Sequence, residues 1–257
     1  MCLVVIALDA HPRYSLVIAA NRDEFHARAS LPAQWGESPP FAGILAGRDL
    51  AAGGTWLGVR RDGRWALVTN VRKDQGYDGQ APSRGGLVPA ILNADADLPA
   101  VLATLARDWQ RYNGFNVLAG DRHSATWASN RASGTKGLAS GVHGLSNALL
   151  DTPWPKLLRT RDAMSVWATR DGGDLSPLFA ALADRTIAPD AELPATGVRI
   201  EWERLLSAPF IVSEGYGTRC STVLAITRSG EATFVEHSFD ARGNATSEVA
   251  FDFELFR

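Results

Sequence analysis

Leu3-Val4-Val5-Ile6-Ala7-Leu8, Asp9-Ala10-His11-Pro12-Arg13 and Tyr14-Ser15-Leu16-Val17-Ile18-Ala19-Ala20 together decide how this chain folds. Two apolar runs rich in β-branched residues flank a segment of turn formers, which predicts an opening antiparallel hairpin. A strand with one wet face alternates apolar and polar residues. These runs are almost continuously apolar, so both are expected to be covered on two faces. Asn21-Arg22-Asp23-Glu24 follows at once. Four polar residues at the end of a buried strand are costly unless they pair or serve a ligand. A solvated loop with an Arg22–Asp23 or Arg22–Glu24 pair accounts for them as well as a site does.

Outward from the hairpin, a Pro/Gly-rich loop is expected around Leu31-Pro32 and Ser38-Pro39-Pro40. Gly53 to Val59, a turn at Asp62-Gly63, and Trp65 to Thr69 follow as a second hairpin. Leu98, Val101, Leu102, Leu105 and Trp109 recur on one helical face, after a shorter helix over Leu87 to Asn93. Phe115 to Ala119 and Ala125 to Ala128 form another hairpin. Pro155 opens a helix running to Trp167, and a further helix covers Ser176 to Ala183. Asp184 to Gly197 reads as a surface excursion. Strands return at Ser221 to Ile226, Ala232 to Glu236 and Glu248 to Phe253. Strand-rich ends around a helical middle, without regular strand–helix alternation, predict an α+β protein. Two stacked, mainly antiparallel sheets covered by helices pack such elements economically. No repeat or charged linker divides residues 1–257, which are read as a single domain.

The 257 residues are 46% hydrophobic and 21% charged, a globular composition. The net charge of −2 is spread along the chain, which argues against nucleic acid or an anionic membrane as partner. No stretch is apolar enough for a transmembrane segment, and the Leu3–Leu8 run is too short for a signal-peptide core. With two cysteines and no disulfide framework, the chain is expected to be cytoplasmic and reduced.

Chemistry could be carried at several places. Removal of Met1, which a small second residue allows, would put a thiol and a free α-amine on Cys2 at the edge of the first strand. That is a nucleophile with its own base; a small core residue is the plainer alternative. Asn70 and Asn147 could each donate to an oxyanion, or serve as turn residues. Arg219 could orient a carboxylate or a substrate group. Asp151 or Thr152 is expected to cap the helix that follows, Ser221 and Thr222 to be strand hydroxyls, and Cys220 to be a buried thiol. The five histidines lack metal-ligand spacing, so no metal site is expected, although a single histidine suffices for haem.

Taken in order, Met1-Cys2, Ala20 to Glu24, Gly53 to Gly58, Thr69-Asn70, Tyr112 to Asn116, His143 to Asn147 and Gly217 to Arg219 resemble the NRDE family. That family includes the eukaryotic transport and Golgi organisation proteins, and the resemblance spans the chain. It implies a four-layer αββα sandwich like that of the N-terminal-nucleophile hydrolases, with kinship to cysteine amidases of the penicillin V acylase and bile salt hydrolase type. On that resemblance the catalytic set is Cys2, Arg22, Asp23, Asn70, Asn147 and Arg219, acting on a small-molecule amide and needing no cofactor. In the amidases two residues separate the Arg from the Asp, whereas Arg22 and Asp23 are adjacent. Neighbours on a strand face opposite ways, so only one can face Cys2, and Asp23 is the one expected to. Family links to lipid metabolism and haem trafficking give the alternative, a non-catalytic haem or lipid carrier using the same cleft.

Overall fold

In the computed structural model, residues 3–72 and 77–256 are described. The first sheet contains β1 (Leu3–Leu8), β2 (Tyr14–Phe25), β10 (Gly141–Leu145), β11 (Tyr216–Thr227), β12 (Glu231–Phe239) and β13 (Ala245–Glu254). The second contains β3 (Ser30–Trp35), β4 (Ile44–Asp49), β5 (Leu57–Arg60), β6 (Trp65–Asn70), β7 (Phe115–Gly120), β8 (Ala125–Ser129) and β9 (Thr135–Gly137). The spatial orders are β10-β1-β2-β11-β12-β13 and β3-β4-β5-β6-β7-β8-β9. Neighbouring strands are antiparallel throughout.

The opening hairpin folds as its composition dictates, with β1 and β2 paired from Leu3↔Asn21 to Leu8↔Leu16. Its two faces enter different cores. Val4, Ile6, Leu8, Leu16, Ile18 and Ala20 meet Leu45, Leu57, Trp65 and Leu67 of the other sheet. Leu3, Val5, Ala7, Val17 and Ala19 pack under α3 (Pro155–Ala168) and α4 (Ser176–Leu182), against Leu157, Met164, Trp167 and Leu178. On the far side, α1 (Leu87–Leu92) and α2 (Leu98–Ala106) cover the second sheet through Val88, Ile91, Val101 and Leu102. The layers run helix, sheet, sheet, helix: an αββα sandwich. Burial on both faces is why these strands lack polar alternation.

Several elements depart from expectation. The segment read as a loop around Leu31 to Pro40 contains β3, and β4 follows it; Pro32 is tolerated because β3 is an edge strand. β10, an edge strand of the first sheet, covers His143 to Leu145. α5 (Ile200–Leu206) follows the surface excursion. β2 and β11 each run to 12 residues, so β2 continues through the Asn-Arg-Asp-Glu run to Phe25. No helix among the described residues is long and apolar enough to cross a membrane.

Asn21 shows how polar residues survive on such a strand. It is fully buried on the helix side, and its Nδ2 donates to the carbonyls of Leu182 (2.8 Å) and Pro209 (2.9 Å). Its Oδ1 accepts from Ser221 Oγ at 2.6 Å. One amide thus ties β2 to β11, to the end of α4 and to the 209 loop. Asn21→Ala leaves these partners buried and unmet, and should lower the unfolding free energy by about 2–4 kcal/mol in urea titration.

Candidate functional site

The Asn-Arg-Asp-Glu run is divided by strand alternation. Asn21 and Asp23 share the helix side, whereas Arg22, with the parity of Ala20 and Ile18, enters the space between the sheets. Arg22 thus faces the space between the sheets and Asp23 the helix layer; the expectation concerned which of them faces Cys2, which lies outside the described residues. Glu24 lies at the rim, where its carboxylate accepts from the Phe25 N–H and stands 3.7 Å from Arg28 Nε.

Arg22 is only 3% exposed. Its guanidinium lies 4.4 Å from the ring centroid of Trp56, and Nη2 is 3.5 Å from Asp49 Oδ2. That carboxylate is committed elsewhere: Oδ2 accepts from Arg28 Nε at 2.7 Å, and Oδ1 accepts from the Ala51 and Ala52 amides. Neither pairing expected from the sequence, with Asp23 or with Glu24, forms the Arg22 contact. Nη1 and Nη2 have no hydrogen-bond partner among the described residues. Among the described residues the cation is held by stacking and by one long ion contact, and its terminal nitrogens meet no hydrogen-bond acceptor there.

Arg22 and Trp56 line a cavity of about 240 Å³, together with Asn70, Arg84, Thr55 and Asp49. Trp56 also borders a second cavity, of about 210 Å³, with Arg219, Cys220 and Glu236. The indole is wedged in place. A Cβ at Gly47 would come within 2.4 Å of its Cζ2, so the ring packs against bare backbone there as well as under Arg22.

The remaining sequence candidates take different places. Asp23 is buried, and its Oδ1 accepts from Thr218 Oγ1 at 2.7 Å; that hydroxyl accepts in turn from the Ile211 N–H. Asn70 ends β6 at the wall of the first cavity. Asn147 Nδ2 donates to the main-chain oxygen of Asn70, and its Oδ1 accepts from Arg72 Nη2 at 3.3 Å. Arg219 reaches the second cavity, where its Nη1 donates to His26 Nδ1. Cys2 lies outside the described residues. Asp151 and Thr152 do not cap the following helix: Asp151 accepts from the Gly144 N–H and pairs with His143, and Thr152 Oγ1 donates to Leu149 O. Ser221 and Thr222 are strand hydroxyls, and burial pushes the Cys220 thiol well above its ordinary range.

Sequence reasoning missed Glu236, Trp56, Asp49 and Thr218. Glu236 carried a signal, because it follows Ala232 and Phe234 at the inward parity of β12. It is 1% exposed and joins the two sheets, accepting from the Ala33 N–H (2.8 Å) in the second and from Thr222 Oγ1 (2.9 Å) in the first. Burial raises its carboxyl above the ordinary 4.5, against the opposing pull of those donors and Arg22. A carboxyl with a raised folded-state value stabilises fully below its unfolded value, and that contribution is lost as pH rises through the folded one. Wild type should therefore lose stability relative to Glu236→Gln as pH climbs upward from the ordinary carboxyl value of 4.5. Urea midpoints of the two proteins across that range check it; a constant difference would refute it.

Three kinds of likeness bear on this architecture. The model of the family described as "Transport and Golgi organisation 2" matches residues 1–241. The human "Transport and Golgi organization protein 2 homolog" is 35% identical over 260 residues, covering 93% of each chain. The Drosophila melanogaster "Transport and Golgi organization protein 2" is 25% identical, covering 93% of this chain and 92% of that one. Among solved structures, a Caenorhabditis elegans N-acylethanolamine-hydrolyzing acid amidase ortholog superposes with a TM-score of 0.54 at 11% identity, over 87% of this chain and 92% of that one. A mutant conjugated bile acid hydrolase from Clostridium perfringens gives 0.50 at 10% identity, over 98% and 92%. At such identity these structures establish the N-terminal-nucleophile hydrolase fold and no more. By family model and relatives alike, the chain belongs to the Transport and Golgi organisation 2 family.

Proposed function

We propose that this chain is an N-terminal-nucleophile amidase in which Cys2, freed by removal of Met1, attacks a non-peptide amide. Support comes from the described residues at the start of β1 and along β2. β1 pairs with β2 as Val4↔Ala20 and Leu3↔Asn21. The strand that carries Arg22 thus lies beside the start of β1, and Arg22 shares the inter-sheet side with Val4 and Ile6. The observation that carries the reading is Arg22 itself: buried at 3% exposure, its terminal nitrogens unspent, on the wall of a cavity shared with Asn70. A guanidinium so placed favours a thiolate over a thiol.

In this scheme the Cys2 sulfur forms a bond to the amide carbonyl carbon. Asn70 donates to the developing oxyanion, and Asn147 keeps Asn70 in place through its main-chain oxygen. The α-amine takes the thiol proton and passes it to the leaving nitrogen as the C–N bond breaks. Water then attacks the thioester, giving its proton to the α-amine and releasing the acid and the thiol. Asp23 follows Arg22 on β2. Its carboxylate, fixed by Thr218, is suited to hold the new α-ammonium. Arg219 orients the substrate from the second cavity.

The carrier alternative finds less among the histidines. Ring nitrogens of His26, His143 and His237 are engaged by Arg219, Asp151 and Glu248 respectively. His11 accepts two backbone N–H groups at Nδ1 and stacks on Trp167.

The intact mass of purified protein should show Met1 removed, and the protein should turn over members of an amide panel. Cys2→Ala should abolish that turnover, and Asn70→Ala should lower kcat by about 10²–10³. Retained Met1, or turnover that survives Cys2→Ala, would eliminate the mechanism. Gly47→Ala tests the wedge: displacing Trp56 should lower kcat/KM by about 10² while the fold persists, as shown by circular dichroism.

A further inference from the structure

β2 and β11 pair with a bulge. Asp23 opposes Thr218 and Arg22 opposes Cys220, which leaves Arg219 without a partner position on β2. A bulge re-aims the side chain of its extra residue, and here that residue carries the guanidinium assigned to the substrate. Freed from the strand's alternation, it needs something else to fix its direction.

His26, in the turn after β2, meets that need. Its Nδ1 lies 2.9 Å from Arg219 Nη1, and its Nε2 lies 3.0 Å from the Ser213 carbonyl. Arginine only donates, so Nδ1 must present its lone pair. A carbonyl only accepts, so Nε2 must carry the proton. The two contacts therefore assign one neutral tautomer between them. The ring is itself anchored, because the His26 N–H donates to Gly215 O at 3.0 Å. It also lies against Gly217, where a Cβ would stand 3.2 Å from His26 Cε1. Arg219 Nη1 is 3.4 Å from the His26 carbonyl as well. From this cradle Arg219 borders the cavity it shares with Trp56, Cys220 and Glu236.

We infer that His26, as the neutral Nε2–H tautomer, is the positioning residue that aims Arg219 into the second cavity. The use of that aim rests on the amidase proposal; the aim itself does not. Nitrogen-15 NMR of histidine-labelled protein should show His26 Nδ1 unprotonated and Nε2 protonated. Arg219→Met should shift the Nδ1 resonance and leave Nε2–H in place. A protonated Nδ1 in the wild type, or no response to Arg219→Met, overturns the inference.

The kinetic arm compares two replacements. His26→Phe keeps a ring over Gly217 but removes the acceptor, and should lower kcat/KM by about 10–100-fold. His26→Asn puts an amide oxygen where Nδ1 stood, and should recover most of that loss. Both variants should unfold at similar denaturant concentrations. Equal losses in the two would make the residue merely structural and refute the positioning role. If the wild type cleaves no amide, the amidase proposal falls, and the NMR result still decides whether His26 holds Arg219.

Discussion

Period-two alternation along a strand buried on both faces is the constraint from which the rest of the structure follows. β2 cannot place successive polar side chains in one environment, so Asn21, Arg22 and Asp23 go to opposite sides, and each side must accommodate what it receives. The helix side does so with neutral and charge-assisted hydrogen bonds. Asn21 spends its amide on two carbonyls and a serine, and Asp23 accepts from Thr218. The inter-sheet side receives a guanidinium and answers it with an indole face and a shared carboxylate. The short motif is thus two hydrogen-bonded residues on either side of one buried cation.

Burying that cation is expensive, and the cost explains features scattered along the sequence. A guanidinium tolerates burial better than an ammonium because it is planar, weakly hydrated and able to stack. Trp56 supplies the stacking surface, and Gly47 supplies the room for Trp56. Asp49, already held by Arg28 and two backbone amides, gives charge compensation without taking up the guanidinium's hydrogens. The result is a preorganised donor facing a cavity, the arrangement that electrostatic catalysis requires.

How far this was legible in the sequence follows from which signals are local. The opening hairpin, the hairpin from Phe115 to Ser129 and the Pro155 helix could be read directly, because burial and turn chemistry are written in consecutive residues. β3 and β4 could not be: Pro32 and Gly47 interrupt their short runs, and only an edge position excuses the first and only a neighbouring indole explains the second. The division of Arg22 from Asp23 was readable as alternation, but its direction depends on which core lies on which side. Glu236 stood at an inward position in plain view, yet a lone carboxylate becomes informative only when the second sheet delivers the Ala33 amide to it.

The late Gly-Thr-Arg segment shows why ordered short motifs can specify a site that no single one does. Gly217 packs bare backbone against Ile211 O and the His26 ring, Thr218 donates a hydrogen bond from its hydroxyl to Asp23, and Arg219 is the extra residue at the bulge. Each contact reaches back to the strand or turn that carries Asn21 through His26. The two segments are almost 200 residues apart in sequence and adjacent in the sheet, so each is the other's environment. A thiolate near Arg22 would need a cation on one side, a carboxylate for its amine on the other and a second cation for the substrate. Antiparallel pairing of β2 with β11 brings the last two within reach of the first through one register and one bulge.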